Sequence, residues 1–375
     1  MSLVYNDEQQ QLHDSAQDFL AARSPVEAAR RLRDDGVAEG FDPKVWAGMR
    51  ELGWSAVAFA EIHGGLAFGL QGYAPLFEQI GRHLCASPLL SSVVLCGSLI
   101  ERCGSEAQQA QWLPALISGE QRMALALEEG ARHASQPVAL QAQANASGFV
   151  LDGTKSWVLD GLGADQFLTV GRTPSGELAL FLVPATAPGV RIEALALVDS
   201  RNHARVQFEQ VQVPASARLV SGDACAALEL ALESGRACLA AELLGMAERC
   251  FELTLDYLKT RVQFDAPIGS FQALQHRAAR QYVQLQLARS AVMAAFEALE
   301  LADISASERC QRVSLGKWKA NEMAQLVSNE AVQMHGGIGV TDEYDLGLYL
   351  KRIRVAQACL GDSDYLCSLY GETLN

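Results

Sequence analysis

The sequence lacks most of the features that mark specialised classes of protein. It contains no run of basic residues and its formal net charge is −14, which argues against binding to nucleic acid phosphates. Its nine cysteines are scattered, without the CxxC or Cys/His spacing of a zinc site or the framework of a disulfide-rich domain. The longest apolar runs are far shorter than a membrane span, and the first residues resemble no signal peptide. We therefore expect a globular protein of the cytoplasm that binds neither nucleic acid, metal nor membrane.

What is present is a chain of 375 residues, of which 49% are hydrophobic and 20% charged. That length suits two or three packed regions rather than one simple core. Apolar residues at helical spacing extend to about residue 120, strand-like alternation follows to about 220, and long Ala/Leu-rich helical stretches occupy the rest. The patterns predict a mostly α protein with a middle β domain, and domains at 1–120, 121–220 and 221–375.

Individual elements can be predicted within these regions. Asn6 or Asp7 is placed to cap the first helix. A small antiparallel sheet is predicted, with strands at 148–161, 167–170, 178–183, 190–192 and 205–213. Three long helices are predicted at 226–260, 271–302 and 307–334.

The first chemical motif extends from Arg261 to Gln272, reads RVQFDAPIGSFQ and follows a predicted helix. A guanidinium there can pair with a pyrophosphate, and Gln272 can hydrogen-bond to the same ligand. Equally, Arg261 can favour the C-terminus of the helix through the helix dipole. The stretch alone leaves both interpretations open.

The second motif extends from Gln333 to Gly339, reads QMHGGIG and also follows a predicted helix. Its glycines allow backbone N–H groups to approach a phosphate or a ring closely. A glycine cluster after a helix is also an ordinary helix stop. No predicted strand precedes it, which excludes a Rossmann dinucleotide fingerprint.

Together, the two motifs resemble those of the acyl-CoA dehydrogenase family, flavoenzymes that remove two hydrogens from the α and β carbons of an acyl thioester. The resemblance rests on Arg-x-x-Phe with a Gln eight residues after the Phe, and on the downstream Gln-x-x-Gly-Gly-x-Gly. It extends over nearly the whole chain, since the stretches at 52–54, 61–65, 153–161 and 343–352 are also similar. It implies an N-terminal helical domain, a β-barrel-like sheet domain and a C-terminal four-helix bundle, assembled as a tetramer.

The resemblance also implies which residues bind FAD, which would lie between subunits. Trp157 would pack beside the flavin ring of its own subunit, although an aromatic residue at a strand end is also an ordinary core residue. The adenosine pyrophosphate of a neighbour's FAD would be held by Arg261, Phe264, Gln272, Gln333, His335, Gly336 and Gly337.

Two departures from the family pattern concern the surroundings of the flavin. The family's loop Thr-Glu-x-x-Ala/Gly-Gly-Ser-Asp corresponds here to Glu128-Glu-Gly-Ala-Arg-His-Ala-Ser135. In addition, Leu159 stands where a hydroxyl residue commonly meets the flavin. The loop that usually contacts both flavin and thioester is therefore altered, although its backbone groups can still serve.

A third departure concerns the catalytic base. Removal of a proton beside a thioester needs a positioned carboxylate. The two positions that carry this glutamate in the family hold Leu360 and Gly235. Asp362 is the first substitute, although it can equally cap a helix, and Glu233 is the second, although it can equally be an ordinary solvated glutamate.

The sequence leaves three functions open. The leading one is an FAD-dependent oxidoreductase that dehydrogenates an acyl-CoA with a relocated base such as Asp362. The second is a base-less subunit that cradles FAD within a heteromeric dehydrogenase, and the third is a flavin-fold protein that does not dehydrogenate. The expected partners are the acyl-CoA substrate, further subunits of a homo- or hetero-tetramer, and an electron-transferring flavoprotein that reoxidises the flavin.

Overall fold

The computed structural model describes residues 5–37, 39–134 and 137–374. Helices account for 57% of the chain and a curled sheet occupies the middle of the sequence, so the predicted fold class is confirmed. In these ranges the α-helices are, in chain order, α1 (Asp7–Arg23), α2 (Val26–Asp35), α3 (Pro43–Glu51), α4 (Tyr73–Arg82), α5 (Ser98–Cys103), α6 (Glu106–Ser118), α7 (Ala224–Thr260), α8 (Gln272–Glu300), α9 (Ala306–His335), α10 (Leu346–Ala358) and α11 (Ser363–Glu372).

The strands of the described chain are short except for two of twelve residues each. They are β1 (Met123–Ala126), β2 (Gln141–Asn145), β3 (Gly148–Leu159), β4 (Gln166–Arg172), β5 (Leu178–Pro184), β6 (Val190–Ala194), β7 (His203–Pro214), β8 (Val262–Gln263) and β9 (Ala266–Pro267). The five predicted strands correspond to β3 to β7, and the three long predicted helices correspond to α7, α8 and α9.

The chain divides into two compact units. The bundle unit comprises the chain up to Arg31, Leu70–Cys85 and the chain from Arg236 onwards. The sheet unit comprises Leu32–Gly69 and Ala86–Gly235. The predicted domain boundaries at 120 and 220 both fall inside the sheet unit and remain predictions.

The sheet is mixed, and the prediction of an antiparallel sheet was wrong. Its order is β1-β4-β2-β3-β7-β6, with β5 also paired to β4. The pairs β2–β3, β3–β7, β6–β7 and β4–β5 are antiparallel, but β1 and β2 lie parallel to β4. Parallel neighbours arise because the chain returns to β4 after crossing over, a route that alternation within a strand does not reveal.

The helices of the bundle unit begin and pack as their sequences dictate. Asn6 caps α1, because its side chain accepts from the Gln9 N–H at 2.8 Å while the Gln9 side chain accepts from the Asn6 N–H at 3.1 Å. Gly316 lets α9 approach α8 closely, since an added Cβ would lie 2.9 Å from the Cβ of Ala295. Although α7, α8 and α9 have 37, 29 and 30 residues, no described helix combines the length and apolar character needed to cross a membrane.

A small apolar cluster joins the ends of three helices in the bundle unit. Leu258 of α7, Ile268 of the following loop, Ala278 of α8 and Met334 of α9 pack together and are each at most 9% exposed. This cluster places the loop between α7 and α8 beside the loop that follows α9. Both sequence motifs therefore lie at one end of the bundle.

Candidate functional site

The first motif forms a β-hairpin between α7 and α8, with a strained aromatic residue at its tip. Val262 pairs with Pro267 and Gln263 with Ala266. The two turn residues, Phe264 and Asp265, have φ of 53° and 60°, a left-handed pair that favours Asn-Gly in most hairpins. Phe264 is 89% exposed, and although its ring meets that of Phe271 edge-on with centroids 6.1 Å apart, most of its surface remains in water. A bulky residue kept in a strained and exposed place indicates a binding role.

The second motif forms an open loop after α9. Gly336 ends the helix with φ of 62°, and an added Cβ at Gly336 or Gly337 would meet no atom within 4 Å. The side chain of Gln333 and the backbone of both glycines are exposed. The backbone of this loop is therefore accessible to a ligand that approaches from outside the chain.

His335 supports this loop from inside rather than facing outward. Its side chain is buried and stacks on Tyr257, with ring centroids 4.4 Å apart. Burial lowers the pKa of His335, so the ring is neutral, its Nδ1–H donates to the Ala331 carbonyl at 2.7 Å and its Nε2 accepts from the Tyr344 hydroxyl at 3.0 Å. The predicted contact between His335 and a cofactor stays a prediction, and the geometry favours a supporting role.

We call the exposed residues of the two motifs the hairpin–glycine surface: Arg261, Phe264, Gln272, Gln333, Gly336 and Gly337. It combines an exposed guanidinium, an exposed aromatic ring, two amide side chains and open backbone. These are the groups that hold a pyrophosphate and an aromatic base.

In the sheet unit, Trp157 stands at an irregularity of β3. The register between β3 and β7 shifts between Lys155 and Val158, and Trp157 has φ of 55°. Its ring remains 40% exposed, and its Nε1–H donates to the Gly130 carbonyl at 3.1 Å. The ring is therefore not the core aromatic that was the alternative interpretation. A bulge that turns a large side chain outward from a strand is common beside functional sites.

The loop that departs from the family pattern is firmly held against β3. Lys155 is fully buried, and its Nζ donates to Glu129 at 2.6 Å and to the Leu127 carbonyl at 3.0 Å. Glu129 also accepts from the N–H groups of Ala139 and Leu140. Burial lowers the pKa of Lys155, and the carboxylate of Glu129 opposes that shift. Ser135, the last residue of the loop motif, lies outside the described residues.

Lys155 and Glu129 were not among the predicted site residues. Lys155 precedes Trp157 by two residues in a strand whose other polar residues are exposed or half-buried, so the sequence carries no signal that sets it apart. The amine of Lys155 nevertheless holds the loop in place through Leu127 and Glu129, and this loop carries Gly130, the hydrogen-bond partner of Trp157.

At the first base position, Leu360 occupies a tight turn after α10. Its φ is 56°, and its carbonyl accepts from the Arg236 Nε–H at 2.9 Å. Two residues later, Asp362 caps α11, because its Oδ1 accepts from the Tyr365 N–H at 2.9 Å. The nearest carboxylate along the chain is thus engaged with the backbone of its own helix.

At the second base position, Gly235 contributes no side chain. Glu233 is 3% exposed, so the alternative of an ordinary solvated glutamate was wrong. Because two residues correspond to about 200° around a helix, its side chain leaves α7 on the side away from position 235. Neither base position carries a carboxylate.

Comparisons with known proteins agree with this arrangement. The chain matches the family model described as acyl-CoA dehydrogenase, N-terminal domain, over residues 6–120, and its C-terminal counterpart over residues 225–374. It is 32% identical to acyl-CoA dehydrogenase FadE27 of Mycobacterium tuberculosis over 334 residues, which cover 87% of each chain. The chain belongs to the acyl-CoA dehydrogenase family.

Two solved structures of similar proteins contain pairs of named chains. The complex of ChsE4 and ChsE5 from Mycobacterium tuberculosis matches with a TM-score of 0.90 and 29% identity, covering 100% of this chain and 99% of the other. A Tcur3481–Tcur3483 steroid ACAD variant matches with a TM-score of 0.87 and 29% identity, covering 98% of each chain.

FAD is the cofactor of this family. The hairpin–glycine surface fits its adenosine pyrophosphate, because exposed Arg261 and the open backbone at Gly336 and Gly337 suit phosphates, and exposed Phe264 suits an adenine ring. Trp157 fits the isoalloxazine ring, since its own ring is half-exposed and directed outward by the bulge.

Proposed function

We propose that this chain is the FAD-cradling subunit of a heteromeric acyl-CoA dehydrogenase, in which another chain supplies the carboxylate that removes the α-proton. The assembly dehydrogenates an acyl-CoA thioester between its α and β carbons. Bound FAD supplies the acceptor for the hydride. The observation that carries the proposal is the turn after α10, where leucine occupies position 360 and Asp362 caps α11.

The residues of this chain have two tasks in that assembly. Arg261 and the backbone of Gly336 and Gly337 bind the pyrophosphate of FAD, and Phe264 covers its adenine. Trp157 packs against the flavin ring of its own subunit and excludes water from one side. Both tasks bind and orient the cofactor, and neither moves a proton.

Two similar structures support the heteromeric arrangement, since each is described by the names of two different chains. The steroid label of one of them supports a bulky acyl group as substrate. We further propose that the assembly is a tetramer, that it acts in the cytoplasm, and that an electron-transferring flavoprotein reoxidises its flavin.

A self-contained dehydrogenase with Asp362 as the base is the second candidate. It is favoured by the half-buried position of Asp362 in the turn that follows position 360. In this case the carboxylate would have to release the Tyr365 N–H before it could reach a substrate.

The flavin content of the purified chain tests the proposal. We expect the chain alone to retain far less than one FAD per chain, and to reach full occupancy when it is co-expressed with a family member from the same genome that keeps a glutamate at one base position. Flavin bleaching should then follow addition of acyl-CoAs, and steroid side-chain, isovaleryl and butyryl thioesters form a suitable panel.

The control is the same complex with the glutamate of the partner changed to glutamine. It should stay yellow but lose bleaching, because only the proton acceptor has been removed. If instead the isolated chain holds one FAD and bleaches it on addition of an acyl-CoA, the base-less assignment is wrong. If no acyl-CoA bleaches any of these preparations, the chain is a flavin-fold protein that does not dehydrogenate.

A further inference from the structure

Lys317 is a charged residue in the interior of the bundle unit that the site described so far does not use. It lies in the middle of α9 and is 0% exposed. Its Nζ donates to Asn321 Oδ1 at 2.7 Å and to the carbonyl oxygens of Ala356 and Gln357 at 3.0 and 3.4 Å. These two carbonyls belong to the last turn of α10, where helical carbonyls lack partners within the helix. The buried amine therefore caps the C-terminus of α10.

Side-chain amides reinforce this contact between α9 and α10. Gln357 Nε2 donates to the Asn321 carbonyl at 2.6 Å, and Asn321 Nδ2 donates to the Gln357 carbonyl at 3.4 Å. Both amides are nearly or fully buried. The end of α10 is thus attached to α9 by a polar network. Its buried donors and acceptors cannot replace these partners with water, because water does not reach them.

The turn with the vacant base position begins immediately after this attachment. Cys359 ends α10, and Leu360 follows in the left-handed conformation. Arg236 Nε of α7 holds the carbonyl of Leu360 at 2.9 Å. The turn is therefore attached to α9 on its N-terminal side and to α7 at its centre, through backbone oxygens in both cases.

We propose that Lys317 is a positioning residue for the turn at 359–362, and that it fixes the backbone at position 360 so that any side chain there is presented in one direction. This role concerns the backbone of the turn, so it holds whichever chain supplies the catalytic base and goes beyond the proposed function. Only the reporter experiment below rests on the proposed function.

The charge of Lys317 changes near neutral pH, which gives the proposal a readout of its own. Burial lowers the pKa of Lys317 to about 7. The charged groups that face it are Arg236 and Glu242 of α7 and Arg352 of α10, together with the thiol of Cys359 in the turn. A protonated amine offers three N–H donors to its three oxygens, whereas the neutral amine offers two. The attachment is therefore complete below pH 7 and loses a donor above it.

Global stability responds to the same titration in the opposite direction. In the unfolded chain Lys317 keeps a pKa of about 10.4, so between pH 7 and that value the unfolded state binds more protons than the native state. Its contribution to the free energy of unfolding therefore rises with pH in that window. If Lys317 had a merely structural role, loss of its proton would change global stability only. If it positions the turn, loss of its proton also weakens the hydrogen bonds of the turn locally.

Hydrogen exchange of the native chain separates these effects. Protection factors are measured from pH 6 to pH 8.5 for the peptide between Val355 and Leu366, with the rest of the bundle as the internal reference. We expect protection in the turn to fall roughly tenfold as pH rises, the effect of one or two lost hydrogen bonds, while protection in the reference stays level or rises with global stability. The variant Lys317→Met should show the low protection at every pH, with no pH dependence.

Ser328→Ala is the matched control, because it removes another buried polar group from α9. Among the described residues, the Ser328 hydroxyl bonds within its own helix, to the Ala324 and Gln325 carbonyls. Its protection profile in the turn should be that of the native chain. If Lys317→Met fails to fold, the pH profile of the native chain still decides the question.

A reporter carboxylate tests the consequence for chemistry. The variant L360E is prepared in the FAD-loaded complex whose partner glutamate is changed to glutamine. It places a carboxylate at the usual base position, and we expect it to restore flavin bleaching by an acyl-CoA. L360E/K317M should lower the bleaching rate constant at least roughly tenfold without changing the acyl-CoA concentration that gives half the rate, because orientation is lost and binding is not. L360E/S328A should behave like L360E.

The two experiments fail in different ways. Protection in the turn that does not change with pH in the native chain and is unaffected by Lys317→Met overturns the proposal. A pH-dependent turn combined with an inactive L360E variant upholds the positioning role and shows that the site lacks something other than a carboxylate, which bears on the proposed function instead.

Discussion

At the scale of single residues, Phe264 holds a left-handed conformation at the tip of the hairpin, with φ of 53° and its ring 89% exposed. Asparagine adopts this conformation far more readily than phenylalanine. We expect Phe264→Asn to raise the free energy of unfolding of the FAD-free chain by about 1 kcal/mol. The same variant should retain less FAD, since the ring that covers the adenine is gone.

Thermal unfolding and the flavin released on denaturation measure both effects of Phe264→Asn. Leu301→Asn is the control, because Leu301 is also an exposed apolar residue of the bundle unit but has an ordinary φ of −72°. It should change neither quantity. A loss of stability in Phe264→Asn contradicts the strain argument, and unchanged flavin retention contradicts the binding role.

Two substitutions distinguish the two candidate roles of Asp362, as the cap of α11 and as the catalytic base. Asp362→Asn keeps the oxygen that accepts from the Tyr365 N–H and should leave stability nearly unchanged, whereas Asp362→Ala should lower the free energy of unfolding by about 1 kcal/mol. In the FAD-loaded complex, bleaching by an acyl-CoA should proceed at the native rate in Asp362→Asn. Abolished bleaching would favour the self-contained enzyme with Asp362 as its base.

His83 makes the bundle unit sensitive to mild acid. Burial, with help from Arg82 and Arg249, lowers the pKa of His83 to about 4. Between that value and the ordinary value near 6.5 the unfolded chain binds more protons, so stability present above pH 6.5 is lost as pH falls towards 4. His83→Gln should reduce the loss between pH 7 and pH 5 by about 1 kcal/mol, after allowance for partial exposure. Urea unfolding at the two pH values measures it, and an unchanged difference contradicts the assignment.

The sequence could predict residues whose role depends on local spacing, but not residues whose role depends on burial. Arg261 and Gln333 belong to motifs, and their exposure agrees with the predicted roles. Lys155 and Lys317 look like ordinary lysines in the sequence, because what distinguishes them is the set of carbonyls that other elements bring to their amines. Glu233 was misjudged for the same reason, since its helix is buried on more than one side.

At the scale of elements, β3 and the loop before β2 depend on the buried pair of Lys155 and Glu129. Removing one partner leaves an uncompensated group in the interior, so Lys155→Met should lower the free energy of unfolding by about 3 kcal/mol. Lys155→Met combined with Glu129→Gln should recover part of that loss, because the remaining amide is neutral. The loop should also release the Trp157 ring in the single variant and lower flavin retention.

Chemical denaturation measures this pair against an exposed pair on the same sheet. Arg205 and Glu193 are 48% and 65% exposed and lie 3.0 Å apart, so Arg205→Met should change stability by less than about 1 kcal/mol. Equal effects at the two sites would show that burial of Lys155 contributes nothing. If the double variant is as unstable as Lys155→Met alone, the uncompensated charge of Glu129 is not the cause of the lost stability.

Long helices and alternating strands were predictable, whereas two of the sheet's strands were not. β1 is four consecutive buried residues, Met-Ala-Leu-Ala, without the alternation that marks a strand with one wet face. β2 reads Gln-Ala-Gln-Ala-Asn and has a single buried residue, so it carries almost no hydrophobic signal. The parallel pairing of both with β4 depends on which strands meet in space, and local pattern does not record that.

At the scale of the whole molecule, the net charge of −14 opposes association of identical copies. Charges of one sign repel through solvent over about 10 Å at 0.1 M salt and about 30 Å at 0.01 M, so added salt screens that repulsion. We expect self-association of the isolated chain to strengthen between 20 and 500 mM salt, as measured by sedimentation. Assembly with a less acidic partner chain should be much less sensitive to salt, and a homotetramer that is stable at low salt contradicts the proposed heteromer.

The attachment of Leu360 through its carbonyl has a consequence for how such proteins diverge. Arg236 recognises the backbone at this position, so a mutation there alters the side chain and leaves the scaffold intact. After duplication of a gene, one copy could lose its glutamate without losing its fold, provided that the other copy kept the chemistry. Selection would then act on the two copies as one inherited unit, and neither gene could be lost alone.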